Sequence, residues 1–178
     1  MEYPWYSILN QRDDLQQGDF VFDCPVLIPP EYLDVGGTPE VEVKTIDAVI
    51  LTQSCDLVSK KTDHVMVGRF YYLNEFLNSL SDDRTKTSKA RNKTLDNLRT
   101  GHFPAYHLLN KQEGVFDDYL VVDFKKVFSI HRNTTEKFVY RNQQRTRLLP
   151  PYREHLSQAF ARYFMRVGLP QDIAIEGY

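Results

Sequence analysis

Between Phe20 and Ile130 the apolar residues fall into short runs, mostly aromatic or β-branched, and these predict strands. Phe20–Ile28 (FVFDCPVLI) is the first, with Pro25 marking an edge or a strand end. Val41–Lys44 alternates apolar and charged residues, as a half-solvated strand does, whereas Asp47–Thr52 is almost continuously apolar, as a strand covered on both faces is. His64–Leu73 follows, with Gly68 at a bulge position, then Phe103–Leu109, Tyr119–Ile130 and a short last strand at Phe138–Tyr140. The stretch Pro29–Pro39 carries Pro29-Pro30 and Gly36-Gly37 and predicts a loop.

Helical spacing occurs in four places. Pro4–Leu15 predicts a short opening helix on Trp5, Ile8 and Leu9, broken by Gly18-Asp19. Leu73, Phe76, Leu77 and Leu80 predict a second, and Arg84–Gly101 predicts a weakly amphipathic helix or a mobile basic insertion. Pro150-Pro151 opens the last helix, on which Leu156, Ala159, Phe160, Tyr163, Phe164 and Val167 form one apolar stripe before Gly168 and Pro170. His155, Arg162 and Arg166 share a flank of it. Strands without a strand–helix repeat imply an α+β fold. The expectation is one domain over 1–178: a small barrel or rolled antiparallel sheet over 17–73 and 103–140, a basic helical insertion over 74–101, and a C-terminal amphipathic helix over 150–168.

Composition narrows the class. The 178 residues are 42% hydrophobic and 13% aromatic, enough for a packed core. No run approaches the roughly 18 apolar residues of a membrane helix. The opening MEYPWYSILNQRDD has neither a basic nor an apolar leader region, so a cytoplasmic protein without a membrane partner is expected. Two cysteines, Cys24 and Cys55, cannot build a disulfide framework or a four-cysteine zinc site. The five histidines show no metal-ligand spacing, so no metal is expected. No Walker or dinucleotide fingerprint is present, and no cofactor is expected.

Charge is unevenly spread. The net charge of −2 hides an acidic front, with twelve acids against four bases over 1–63, and a basic end, with ten bases against four acids over 125–178. Such a gradient serves either an anionic partner or pairing between the two ends of the chain. Two basic clusters stand out: Arg84, Lys86, Lys89, Arg91 and Lys93 with Arg99, and Arg141, Arg145 and Arg147 beside Tyr140. Arginine forks suit phosphate and tyrosines suit unpaired bases, so these residues are the expected contacts to RNA or DNA. The sharpest local feature is Leu51-Thr52-Gln53-Ser54-Cys55-Asp56, where an apolar strand runs into small polar side chains. Cys55 there is a nucleophile only beside a base such as His64, His107, His131 or His155.

Gly18-Asp19-Phe20-Val21-Phe22, a long loop, then Ala48–Thr52 ending in a polar turn resembles the opening of the MazF/PemK toxin family, over roughly residues 17–56. The resemblance implies an SH3-like barrel, usually dimeric, with a basic RNA-binding groove. It also implies metal-independent endoribonuclease activity, of toxin–antitoxin type, using an arginine and a nearby Ser or Thr. Thr52 and Ser54 fall near that position. The family's Arg-Pro before the second strand is replaced here by Thr45-Ile46-Asp47. The expected catalytic set is then Ser54, Cys55 and Asp56, with Arg69 or an arginine from the C-terminal tail as charge stabiliser. Two other readings stand beside a nucleic-acid-binding protein or ribonuclease: a non-catalytic module that docks a protein partner, and a Cys55-dependent hydrolase.

Overall fold

A computed structural model describes residues 3–10, 13–32, 36–38, 40–80, 82–141 and 144–165. Its strands are β1 (Tyr6–Asn10), β2 (Phe20–Ile28), β3 (Glu42–Ile50), β4 (His64–Tyr72), β5 (Tyr106–Leu109), β6 (Leu120–His131) and β7 (Gln144–Leu148). Its helices are α1 (Ser54–Val58), α2 (Leu73–Ser79), α3 (Asp82–Thr85), α4 (Ser88–Arg99), α5 (Arg132–Val139) and α6 (Tyr152–Phe164). The protein is α+β. Five strands form an antiparallel sheet in the order β2-β3-β4-β6-β5, and β1 pairs antiparallel with β7. The sheet stays open at β2 and β5, so no closed barrel forms among the described residues.

The two sheets meet at one residue pair. Gly18 donates its N–H to the Ile50 carbonyl and accepts from Leu148 N–H, both at 2.9 Å, and Asp19 bridges Arg147. Gly18 holds φ at +84°, and a Cβ there would lie 3.1 Å from both Cβ and O of Leu148. Only glycine suits that turn and that approach. The start of β2 is thereby fixed to β3 on one side and β7 on the other.

Burial explains the order of strands. In β3, Val49 enters a core with Tyr6, Phe20, Phe70, Phe116, Phe124 and Leu156, while Ala48 and Ile50 enter a second with Cys24, Val67, Leu57 and Val139. A strand covered on both faces reads as a continuous apolar run, as this one does. A third cluster of Tyr71, Phe76, Leu77, Leu98, Tyr106 and Val121 lies beneath α2 and α4. The basic segment is therefore a packed helix. Thr87 caps it by accepting Ala90 N–H at 3.1 Å, and Gly101, at φ +71°, ends it.

Three expected elements differ. The opening helix is instead strand β1, because its backbone is drawn into register with β7, Tyr6 opposite Leu148 and Asn10 opposite Gln144. Phe138 and Val139 end α5 rather than forming a strand: His131 Nδ1 caps the helix at Asn133 N–H (3.2 Å), and Thr135 and Val139 lie buried one turn apart. Val41–Lys44 and Asp47–Thr52 belong largely to a single strand, β3. Val167, Arg166, Gly168 and Pro170 lie outside the described residues. No helix of the described residues is long and apolar enough to cross a membrane.

Candidate nucleic-acid interface

Helix α4 buries Thr94 and Leu98, spaced to share one face, and this turns the opposite side to solvent. Lys89, Lys93 and Arg99 of α4 are exposed, as are Arg84 and Lys86 before it, and Arg91, half-buried, donates to Asn74 Oδ1 at 3.2 Å. The end of α4, strand β5 and the flank of α6 enclose a cleft of about 630 Å³. Arg99, His107, His155 and Arg162 line it with Trp5 and Tyr119, and among the described residues no acidic side chain does. Trp5 stacks on Tyr152 at 3.6 Å between centroids and 8° between planes, which holds the indole rigidly in the wall.

Electrostatics sort the four basic groups. Burial, then the neighbouring His155 and Arg162, push the His107 pKa down to about 4. His107 is thus neutral at pH 7 and offers hydrogen bonds, while Arg99 and Arg162 carry the charge. Arg99 meets Asp96 at 3.5 Å on the surface, and both are largely exposed, so the pair competes weakly for the guanidinium. Cations of two distant segments thus face one hollow. Anionic groups with planar appendages suit such a wall.

The second basic cluster sits otherwise than expected. Arg145 and Arg147 are buried and bind Asp19, itself fully buried: Arg145 Nε lies 3.2 Å from Oδ2, and both Nε and Nη2 of Arg147 reach the same carboxylate. The remaining guanidinium donors reach the carbonyls of Asn10, Asp13 and Asp14. These arginines cannot reach a nucleic-acid backbone. Arg141 pairs with Asp23 at 3.0 Å on the surface, and the half-buried Tyr140 ring lies under Arg145 at 5.3 Å. The basic end thus pairs with the acidic front, which is the internal role the charge gradient allowed. No protein-family model matches the chain, and no curated protein does.

The expected catalytic residues are only partly brought together. Ser54 and Cys55 open α1 and line a cleft of about 350 Å³ with Gln17, Gln53, Arg153, Glu154, Ser157 and Gln158. Ser54 Oγ accepts Gln17 N–H at 3.2 Å, and Gln17 Nε2 donates to the Leu51 carbonyl at 2.8 Å. Cys55 Sγ lies 3.8 Å from Asp56 Oδ1, its neighbour in the chain. No histidine lines this cleft. His64 meets His131 edge-on at 5.8 Å, His107 and His155 face the other cleft, and His102 bonds Thr100. Arg69 is absent from the lining too, packed on Tyr71 with Glu75 at 3.8 Å. The arginine that does reach Ser54's cleft is Arg153.

The sequence offered His107 and His155 only as bases for Cys55, and did not mark Trp5, Arg153 or Arg162 as site residues. His155 and Arg162 carried a signal, since their shared helical flank marked a common surface. Trp5 and Arg153 carried none: each depends on how β1 and α6 fold back on the sheet.

Proposed function

We propose that this protein binds single-stranded nucleic acid across the face built from α4, β5 and α6. The observation that carries the reading is the cleft that joins Arg99 and Arg162 to Trp5 and Tyr119, with no acidic side chain in its lining among the described residues. Two exposed guanidiniums bind phosphates, a neutral His107 hydrogen-bonds, and aromatic walls stack an unpaired base. A cleft of this volume has the scale of a small-molecule pocket, which admits a splayed base with its phosphate and not a duplex. The exposed Lys89 and Lys93 of α4 extend the phosphate track. Gly18, tied to both β3 and β7, supports a rolled sheet of MazF/PemK-like descent as the scaffold. Ribonuclease chemistry has less support, because Arg69 stands outside the cleft of Ser54 and Cys55.

The test is binding of a labelled single-stranded RNA and its DNA equivalent at about 50 mM salt, where the counterion term is strong. The variant Arg99→Glu/Arg162→Glu is expected to bind at least about tenfold more weakly, roughly 1.4 kcal/mol, with unchanged thermal stability. Equal affinity of the two proteins would overturn the proposal. New RNA ends in the same samples would restore the nuclease reading.

One observation favours a second reading, a protein-docking module. Leu27 and Val43 face each other across the β2–β3 hairpin and are 65% and 62% exposed. Association through that apolar pair would tolerate salt, unlike phosphate binding.

A further inference from the structure

A second cationic cleft, of about 310 Å³, lies on the other side of Tyr106 from the first. It exists because of a fault in the pairing of β4 with β6. Gly68 opposes Val127 and Arg69 opposes Asp123, so Phe124, Lys125 and Lys126 have no partner in β4. Consecutive residues of a regular strand point to opposite faces, but a bulge re-aims them. Here Lys125 and Lys126 both line one cleft, with Arg84 of α3 as the third cation. Tyr71 and Tyr106 form its walls. Lys126 Nζ donates to the Tyr71 hydroxyl at 3.1 Å, and Lys125 Nζ lies 4.7 Å from the centre of the Tyr106 ring.

The cleft carries more positive than negative charge. Its one lining carboxylate among the described residues is the buried Asp123, which accepts the Lys125 backbone N–H at 3.0 Å. Three cations thus converge on one acid, and an anion that joins them lowers their mutual repulsion.

We infer that the cleft between Arg84, Lys125 and Lys126 binds a phosphomonoester, which on the nucleic-acid reading proposed above is the terminal phosphate of the bound strand. Three convergent donors match the three terminal oxygens of a monoester, whereas an internal diester offers two and a single charge. Tyr106 is the shared wall: Leu98, Arg99 and Tyr106 belong to the first cleft and Tyr106 and Arg84 to the second. A strand whose end sits at Lys125 and Lys126 therefore has the first cleft next to it across Tyr106.

The test measures binding of one single-stranded RNA prepared with a 5′-phosphate, with a 3′-phosphate and with hydroxyls at both ends, alongside a nucleoside 5′-monophosphate and the parent nucleoside. The wild-type protein is expected to bind one phosphate-ended strand at least about tenfold more tightly than the hydroxyl-ended strand, and the monophosphate more tightly than the nucleoside. Lys125→Glu/Lys126→Glu removes both differences and leaves the thermal midpoint unchanged, since both side chains are exposed. Equal binding of all three strands with no binding of the monophosphate overturns the site while the nucleic-acid reading stands. Lysine-dependent monophosphate binding without binding of any strand overturns the nucleic-acid reading and keeps the site. A preference that survives the double substitution places the phosphate elsewhere and overturns the assignment.

Discussion

Asp19 is the residue on which the centre of the molecule turns. Its fully buried carboxylate holds two arginines from β7 and also accepts the Gln16 N–H at 3.1 Å. Removing one member of such a cluster leaves buried charge unpaired, so Asp19→Asn should cost about 3–5 kcal/mol in a urea melt. A loss under 1 kcal/mol would show the cluster to be replaceable. His107 makes a prediction with a definite sign. Folding keeps it neutral to about pH 4, whereas an unperturbed imidazole takes up its proton near 6.5. The unfolded chain therefore binds more protons in that window. The contribution is full above pH 6.5 and is lost as pH falls towards 4. The urea midpoint of wild type should accordingly fall faster than that of His107→Gln between these limits, and parallel curves would contradict it. Little of this could be read from the residues alone. Arg145-Thr146-Arg147 has the composition of a solvated basic segment, and only the fold reveals that Asp19 lies opposite. His155 and Arg162 were legible as neighbours because helical spacing fixes a flank whatever the rest of the chain does.

Among the elements, α6 shows how packing grades a stripe that the sequence presents as uniform. Leu156 is fully buried, Phe160 is half-buried against Phe124 at 5.3 Å, and Phe164 is 63% exposed. Leu156→Ala should therefore cost about 2–5 kcal/mol and Phe160→Ala clearly less, as read from paired chemical melts. Equal costs would mean that Phe160 is covered as deeply as Leu156. Strands β2, β3, β4 and β6 were legible because each buries apolar residues continuously or in alternation. Strands β1 and β7 were not. They form a two-stranded ribbon whose register rests on long-range pairing, and two of the five residues of β7 are arginines. Helix α5 was hidden for a related reason: Phe138-Val139-Tyr140 has strand composition, while a histidine cap and the i, i+4 pair Thr135 and Val139 decide for helix. Where a barrel or rolled sheet was expected, the strands form an open five-stranded antiparallel sheet and a separate two-stranded one, bridged at Asp19 and Arg147.

At the scale of the whole molecule, the acidic front and basic end are partly spent on each other, through Asp19 with Arg145 and Arg147 and Asp23 with Arg141. Outside those pairs stand the cationic face of α4, β5 and α6 and the neighbouring cleft of Arg84, Lys125 and Lys126. A nearly neutral protein can thus present a one-sided positive surface, and a net charge of −2 is a poor guide to its partners. The most direct measurement of that claim is the dependence of the binding constant for a single-stranded oligonucleotide on salt concentration, for wild type and for Arg99→Glu/Arg162→Glu. Single strands lose affinity with a slope of about −0.7 per phosphate neutralised. Contacts from Arg99, Arg162, Lys89 and Lys93 predict a slope of about −3 for wild type, falling to about −1.5 or shallower in the variant. A salt-independent constant, or one slope shared by both proteins, would contradict the account.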